Sequence, residues 1–210
     1  GDIDQRYSPF FALEGFQRMD VGFSEYFKIC KLYDIEPLIA IKFEGSTVDD
    51  AVRQIKYFNE VNNQERLRNG DTLPYDVKWW EIGNEMWHNE VEYAQSYSDF
   101  YSAMKEVCPD CRFIYSGNHW GYPQTIDNLA QYHNFDIDTY SFHPCLCPFD
   151  AKPIVDTLEW YSYTTVPSWD DGIFKQIDAS LKNISSDYNG IAINEWWSTL
   201  GNRGDWLLDS

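Results

Sequence analysis

The chain has 210 residues, of which 43% are hydrophobic, 24% charged and 18% aromatic, and this apolar content excludes a disordered tail or a low-complexity linker. It carries 16 basic and 34 acidic residues, and the resulting net charge of −18 repels phosphate backbones and anionic lipids. No apolar run approaches the roughly 20 residues of a membrane-spanning helix. We therefore expect neither a nucleic-acid partner nor a membrane partner.

Helical stripes of apolar residues alternate with short strand-like runs along the chain. A stripe over 23–33 precedes a buried strand at 37–41. A second helix is predicted from Val48 to Phe58, because Ser46 and Thr47, followed by acidic first-turn residues, are typical of a helix N-terminus. Further strands are predicted at 77–83, 112–116, 137–142 and 190–195, and further helices at 94–104, 126–133 and 173–184. Because strands separated by helices pair in parallel, this pattern predicts an α/β fold.

Two segments interrupt the alternation of strands and helices. Residues 62–74 are predicted to form a polar loop. Residues 144–170 are rich in Pro, Trp and Tyr and lack a helical period. A long loop after a strand is usually functional or disordered, and the aromatic content of this one argues against disorder.

Five cysteines leave the redox compartment open. Cys108 and Cys111 have the CxxC spacing of a redox motif or half of a zinc site. The second half would have to come from Cys145 and Cys147 beside His143, which is not the usual zinc spacing. Free thiols or one local disulfide are therefore the preferred interpretation.

Two predicted strands end in a carboxylate within an aromatic motif. The run Trp79–Trp87 contains Glu85, and the run Ile191–Trp197 contains Glu195. In a parallel α/β barrel, active sites are built at the carboxyl ends of the strands. Two carboxylates that face each other there are the equipment of a glycosidase: one protonates the leaving oxygen, and the other attacks the anomeric carbon or activates water.

These motifs carry a resemblance to a known group of enzymes. Trp80-Glu-Ile-Gly-Asn-Glu85 resembles the fourth-strand signature of the retaining glycoside hydrolase clan built on (β/α)8 barrels, and Ile193-Asn-Glu-Trp196 resembles its seventh strand. Within the clan, the segments 36–41 and 45–59 are similar to the third strand and helix of the alpha-L-arabinofuranosidases. The resemblance implies a TIM-barrel fold in which residues 1–210 form a partial catalytic domain, about strands three to seven, without a second domain.

The resemblance also implies roles for individual residues. Glu85 would be the general acid/base, Glu195 the nucleophile, and Asn84 a hydrogen-bond partner of the sugar 2-hydroxyl. His143, at the end of strand six, would bond the nucleophile or the sugar, although a buried core histidine is an equal alternative. The remaining candidate binding residues are Asn118 at the end of strand five and the potential sugar-stacking side chains Trp87 and Trp196.

Two further positions are informative. Glu81 lies four residues before Glu85 and should point into the barrel, where a buried carboxylate needs a cationic or hydrogen-bonding partner. We interpret it as structural, with an arginine outside this chain as one candidate partner.

Lys42 stands where the arabinofuranosidases usually carry an asparagine that touches the sugar, so xylosidases of the same clan also remain candidates.

The sequence thus predicts a retaining glycoside hydrolase that removes terminal sugars, similar to alpha-L-arabinofuranosides, from plant or microbial polysaccharides without a cofactor or metal. The alternatives are a non-catalytic carbohydrate-binding or scaffold fragment, or another exo-glycosidase such as a beta-xylosidase. The expected partners are a carbohydrate substrate and either a second copy or another chain that supplies the missing barrel strands. The compartment stays open, with an extracellular or periplasmic location favoured over the cytoplasm.

Overall fold

The computed structural model describes residues 10–12, 15–17, 21–86, 89–117, 127, 131, 137–143 and 173–195. Its strands are β1 (Phe10–Ala12), β2 (Gly15–Gln17), β3 (Leu38–Ile41), β4 (Trp79–Ile82), β5 (Arg112–Ser116), β6 (Thr139–Ser141) and β7 (Ile191–Ala192). Its helices are α1 (Phe23–Tyr33), α2 (Val48–Asn59), α3 (Gln64–Arg68), α4 (Glu90–Val107) and α5 (Ile173–Ile184). Residues 127 and 131 are helical, while the rest of the predicted helix 126–133 and the loop 144–170 lie outside the described residues.

Strands β3 to β7 form one parallel sheet in chain order, β3-β4-β5-β6-β7. The register pairs Ile41 with Ile82, and Ser116 and Ala192 with Ser141 from either side. This arrangement confirms the predicted α/β fold with parallel strands. It also brings the carboxyl ends of all five strands to the same edge of the sheet, which is where the two carboxylate motifs lie.

Two elements differ from the sequence-based prediction. Strands β1 and β2 form a small antiparallel pair whose three-residue strands are too short to show a period. Helix α3 lies inside the segment predicted as a polar loop. The Asn63 side chain accepts a hydrogen bond from Arg66 N, and the buried Arg66 guanidinium donates to Tyr57 O at 2.6 Å and Val61 O at 2.9 Å. These backbone acceptors fix a turn that polar composition alone does not predict.

Helices α2 and α4 carry the apolar faces that cover the sheet. Helix α2 begins as predicted, because Thr47 Oγ1 accepts from Asp50 N while the Asp50 carboxylate accepts from Thr47 N. Phe58 packs against Trp80 with ring centroids 5.5 Å apart, and Tyr97 packs against Tyr115 at 4.8 Å. These buried aromatic rings account for part of the high aromatic content, so they form core rather than a sugar groove.

The opposite edge of the sheet is held by polar contacts and a disulfide. Asp138 is buried and accepts hydrogen bonds from Lys105 Nζ at 3.1 Å and from Phe113 N at 3.0 Å. Cys108 and Cys111 form a disulfide between helix α4 and strand β5. In this state the two sulfurs are not free thiolates for zinc, and of the two preferred interpretations, free thiols or one local disulfide, the disulfide holds for this pair. Cys145 and Cys147 lie outside the described residues.

Candidate active site

The backbone after strand β4 makes a turn that delivers Glu85. Gly83 has φ +87°, a left-handed conformation, and its N–H donates to Ile41 O at 2.8 Å. Glu85 itself has φ +47°, which is uncommon for a residue with a side chain. A non-glycine residue stays in this strained region only where the surrounding structure holds it there, and such residues are frequent at functional sites. The turn leaves the Glu85 side chain 36% exposed at the carboxyl edge of the sheet.

His143 brings the two predicted catalytic glutamates together. It follows strand β6, and its side chain is only 2% exposed. Its Nδ1 lies 3.2 Å from Glu85 Oε1 and 3.9 Å from Glu195 Oε2. Glu195 follows strand β7, and its side chain is 49% exposed. One buried imidazole nitrogen therefore contacts one carboxylate and lies close to a second, and both carboxylates remain accessible from outside.

A hydrogen-bonded network supports the histidine from below. Glu81 Oε1 accepts from Ser141 Oγ at 2.7 Å, and Glu81 Oε2 accepts from Asn194 Nδ2 at 2.6 Å. Asn194 Oδ1 in turn lies 3.0 Å from His143 Nε2. Glu81 is thus satisfied by polar side chains of strand β6 and the segment after β7. The hydrogen-bonding alternative of the prediction is therefore the one that the structure shows, and an arginine outside this chain is not needed.

The environment of Glu81 changes the affinity of this carboxyl for protons. Burial raises the pKa of Glu81 because the charged form loses its hydration. The hydrogen bonds from Ser141 and Asn194 and the nearby His143 oppose this effect by stabilising the carboxylate, but the pKa remains raised. Glu81 is therefore a buried titratable group directly connected to the candidate catalytic cluster.

Helix α4 fixes the ends of strands β4 and β5. The buried Tyr93 hydroxyl donates to Ile82 O and accepts from Ser116 N, the latter at 2.9 Å. Ile82 is the last residue of β4 and Ser116 the last residue of β5. Sequence reasoning missed this role of Tyr93, as well as the roles of Ser141 and Asn194. Both of the latter lie within one or two residues of a residue that the motifs had singled out.

The other predicted binding residues have varied outcomes. Asn84 is exposed beside Glu85, and Lys42 is exposed after strand β3. Trp87, Asn118 and Trp196 lie outside the described residues, so their predicted contacts with sugar stay predictions.

Facing atoms of Glu85, His143 and Glu195 all lie within 4.8 Å of one another. Within the described ranges, this is the one group of three or more His, Cys, Asp or Glu side chains that lie close enough together to hold a metal ion. Exposed acidic groups are common without an ion, so the group does not by itself indicate a metal site.

Comparison with known proteins shows the family to which the chain belongs. Residues 1–145 match the family model of the alpha-L-arabinofuranosidase 1 domain. The chain belongs to the alpha-L-arabinofuranosidase family. It is 28% identical over 186 residues to a probable alpha-L-arabinofuranosidase C of Aspergillus clavatus, a match that covers 80% of this chain and 34% of the relative. The chain thus spans about a third of the length of the curated relatives it matches.

Solved structures of alpha-L-arabinofuranosidases are also similar to the chain. The Thermotoga maritima enzyme, solved as an arabinose complex, is 29% identical with a TM-score of 0.59, covering 68% of this chain and 32% of that one. A family 51 enzyme from Bifidobacterium longum is 16% identical with a TM-score of 0.72, covering 90% and 42%. The second likeness concerns the fold alone, and it agrees with the predicted TIM-barrel architecture. None of the described helices is long and apolar enough to cross a membrane.

Proposed function

We propose that the protein is a retaining glycoside hydrolase that releases terminal alpha-L-arabinofuranosyl groups from polysaccharides. Glu85 acts as the general acid/base and Glu195 as the nucleophile of a double displacement. The observation that carries this proposal is the convergence of the two carboxylates on His143 from strands β4 and β7. The membership of the arabinofuranosidase family supports the choice of sugar.

The spacing of the carboxylates favours retention of configuration. Facing oxygens of Glu85 and Glu195 lie within 4.8 Å of each other. Retaining glycosidases hold their two carboxyl groups roughly 5–5.5 Å apart, whereas inverting enzymes need roughly 6.5–9.5 Å to admit a water molecule. At the shorter spacing, Glu195 reaches the anomeric carbon directly. The product of the first step is then a covalent glycosyl-enzyme, which water hydrolyses in the second step.

Each glutamate has surroundings that suit its role. Glu85 Oε1 contacts the imidazole of His143, a group that can hold or release a proton beside it. Glu195 is the more exposed of the two, so a sugar can approach its carboxylate from the open side. Glu85 therefore protonates the leaving oxygen in the first half-reaction and takes a proton from water in the second.

Asn84 is the best placed of the described residues to bind the sugar beside Glu85. It is exposed at the same turn, and its amide can both donate to and accept from a hydroxyl group. A hydrogen bond to the 2-hydroxyl strengthens as charge develops on the ring in the transition state. Lys42, exposed after strand β3, presents a cation where the family resemblance suggests an amide. For this reason the test includes xylosides.

Hydrolysis of a panel of 4-nitrophenyl glycosides by the full-length protein tests the proposal. The panel contains the alpha-L-arabinofuranoside, the beta-D-xylopyranoside and the alpha-L-arabinopyranoside, and the Glu195→Gln variant is the control for contaminating activity. We expect turnover of the arabinofuranoside that is absent in the variant. Turnover of the xyloside alone would reassign the substrate, and no turnover of any glycoside would reject the enzymatic function.

A further inference from the structure

A chain of hydrogen bonds runs from a buried carboxylate to the candidate acid. It begins at Glu81, passes through the Asn194 amide and the His143 ring, and ends at Glu85. The three links measure 2.6 Å, 3.0 Å and 3.2 Å. Glu81 and His143 are each only 2% exposed, and none of the chemical roles proposed above requires Glu81 or Asn194.

The direction of the first link follows from the chemistry of the carboxylate. An ionised carboxylate accepts hydrogen bonds and donates none. Glu81 Oε1 is occupied by the Ser141 hydroxyl, so Glu81 Oε2 selects the NH₂ group of the Asn194 amide and turns its oxygen toward His143. While Glu81 is ionised, the reverse orientation of the amide would point the Asn194 oxygen at Glu81 Oε2, and both of these atoms are acceptors.

The second link then decides which ring nitrogen carries a hydrogen. Asn194 Oδ1 is an acceptor, so His143 Nε2 has to donate. In the neutral imidazole only one nitrogen carries a hydrogen, which leaves Nδ1 as an acceptor. Nδ1 is the nitrogen that contacts Glu85, with Glu195 Oε2 as the other charged group near it.

We propose that Glu81 is a positioning residue that acts through Asn194 to keep a hydrogen on His143 Nε2, so that only Nδ1 exchanges a proton with Glu85. One proton is then shared between Glu85 Oε1 and His143 Nδ1. When Glu85 is protonated, its O–H points at Nδ1 and is held in one orientation. The role of Glu85 rests on the proposed function, whereas the position of the hydrogen on His143 does not.

Nitrogen-15 NMR of histidine-labelled full-length protein tests the hydrogen position directly. The His143 signals are assigned by their loss in His143→Gln, and spectra are recorded at a pH at which the two nitrogen shifts are those of a neutral ring. We expect Nε2 to carry the hydrogen in the wild type. A neutral ring with its hydrogen on Nδ1 would overturn the proposal, whatever the activity of the protein.

Matched substitutions test the role of Glu81. Glu81→Gln keeps the shape but lets the Asn194 amide adopt either orientation, so the fraction of Nε2–H should fall about twofold. The double variant Glu81→Gln/Asn194→Asp exchanges the carboxylate and the amide. Its new carboxylate beside His143 again only accepts, so the wild-type tautomer should return. Ser141→Ala, which removes the other hydrogen bond to Glu81, should leave the tautomer unchanged. An unchanged tautomer in Glu81→Gln, or no recovery in the double variant, would overturn the role of Glu81.

Kinetic measurements on the same variants test whether the tautomer of His143 affects proton donation by Glu85. For an alkyl arabinofuranoside, whose leaving group needs protonation, kcat of Glu81→Gln should fall about tenfold while KM changes less than about twofold, and the double variant should recover. The 4-nitrophenyl substrate should lose less than about threefold, because its leaving group needs little protonation. Equal losses on both substrates would contradict the link to Glu85. If the wild type hydrolyses no glycoside, the proposed function fails, and the NMR experiment still decides the tautomer.

Discussion

Glu85 and Glu195 direct carboxylate oxygens at the same atom, Nδ1 of His143, at 3.2 Å and 3.9 Å. They follow strands β4 and β7, which are separated in the sheet by β5 and β6. The buried histidine after β6 lies between them and is reached from both sides. This relationship makes the two glutamates one site, and it is the basis of the first three predictions.

Removal of the proposed nucleophile, Glu195, should abolish turnover and preserve binding of the sugar. In the full-length protein, we expect Glu195→Ala to lower kcat by more than about a thousandfold, because the variant lacks the carboxylate to which we assign the covalent intermediate. Binding of arabinose, measured by calorimetry, should remain within about threefold of the wild type. A variant that keeps a near wild-type kcat would exclude Glu195 as the nucleophile.

The loss of rate on removal of the proposed acid, Glu85, should depend on the leaving group of the substrate. We expect Glu85→Ala to reduce the first step on natural arabinosides by about 10²–10⁴, the usual contribution of general acid catalysis. Pre-steady-state measurements with 4-nitrophenyl arabinofuranoside should show a much smaller loss in that step. Similar losses with both classes of substrate would contradict the acid role.

The stereochemistry of the product should follow the short distance between the carboxylates. Proton NMR of the first-formed sugar should show the anomeric configuration of the substrate, as a double displacement requires. Spectra must be collected before the product mutarotates. A first-formed product of opposite configuration would eliminate the glycosyl-enzyme intermediate.

The raised pKa of Glu81 predicts a dependence of stability on pH. Folding raises this pKa above its ordinary value of 4.5, so the folded protein binds more protons than the unfolded chain between the two values. The contribution of Glu81 to the free energy of unfolding is therefore present below about pH 4.5 and is lost as the pH rises through the folded pKa. We expect the Tm of Glu81→Gln, relative to the wild type, to increase between about pH 4 and about pH 7.

Asp50 provides a control of opposite sign. The Thr47 side-chain and backbone hydrogen bonds lower the pKa of Asp50, so its contribution to stability is present above the ordinary carboxyl value and is lost as the pH falls. Relative to the wild type, the Tm of Asp50→Asn should therefore stay nearly constant between about pH 4 and about pH 7 and increase as the pH falls below the ordinary carboxyl value of 3.8. The same trend in both variants would mean that the Glu81 effect is not specific to its burial.

Gly83→Ala should disturb the turn that delivers Glu85. An added Cβ would lie 2.8 Å from Met86 Cγ, and the backbone has φ +87°. Gly70 is a matched control, because its φ is +89° but a Cβ there would have nothing within 4 Å. In both variants, an alanine in the left-handed region lowers the free energy of unfolding by about 1 kcal/mol. In Gly83→Ala, the contact of the added Cβ with Met86 should lower it by roughly a further 1 kcal/mol. Equal values of Tm for the two variants would show that Met86 moves aside freely.

Much of the fold followed from local patterns. The alternation of strands and helices predicted the parallel sheet, and Thr47 with the acidic residues after it predicted the start of helix α2. The prediction was wrong for residues 64–68, because the buried Arg66 satisfies backbone carbonyls that only the folded chain brings near it. It also missed the β1–β2 pair, whose three-residue strands give no measurable period.

For the site, the sequence by itself determined the candidates: the two glutamates at strand ends, the asparagine before Glu85 and the histidine after β6. The tertiary structure decided how they are connected. Glu81 meets Ser141 and Asn194 across 60 and 113 residues of sequence. A hydrogen bond depends on distance and direction between atoms, and parallel strands bring remote segments to the same edge without leaving a local pattern in either one. The sequence therefore left an arginine outside this chain as one candidate partner of Glu81, whereas its partners lie two and three strands away in this chain.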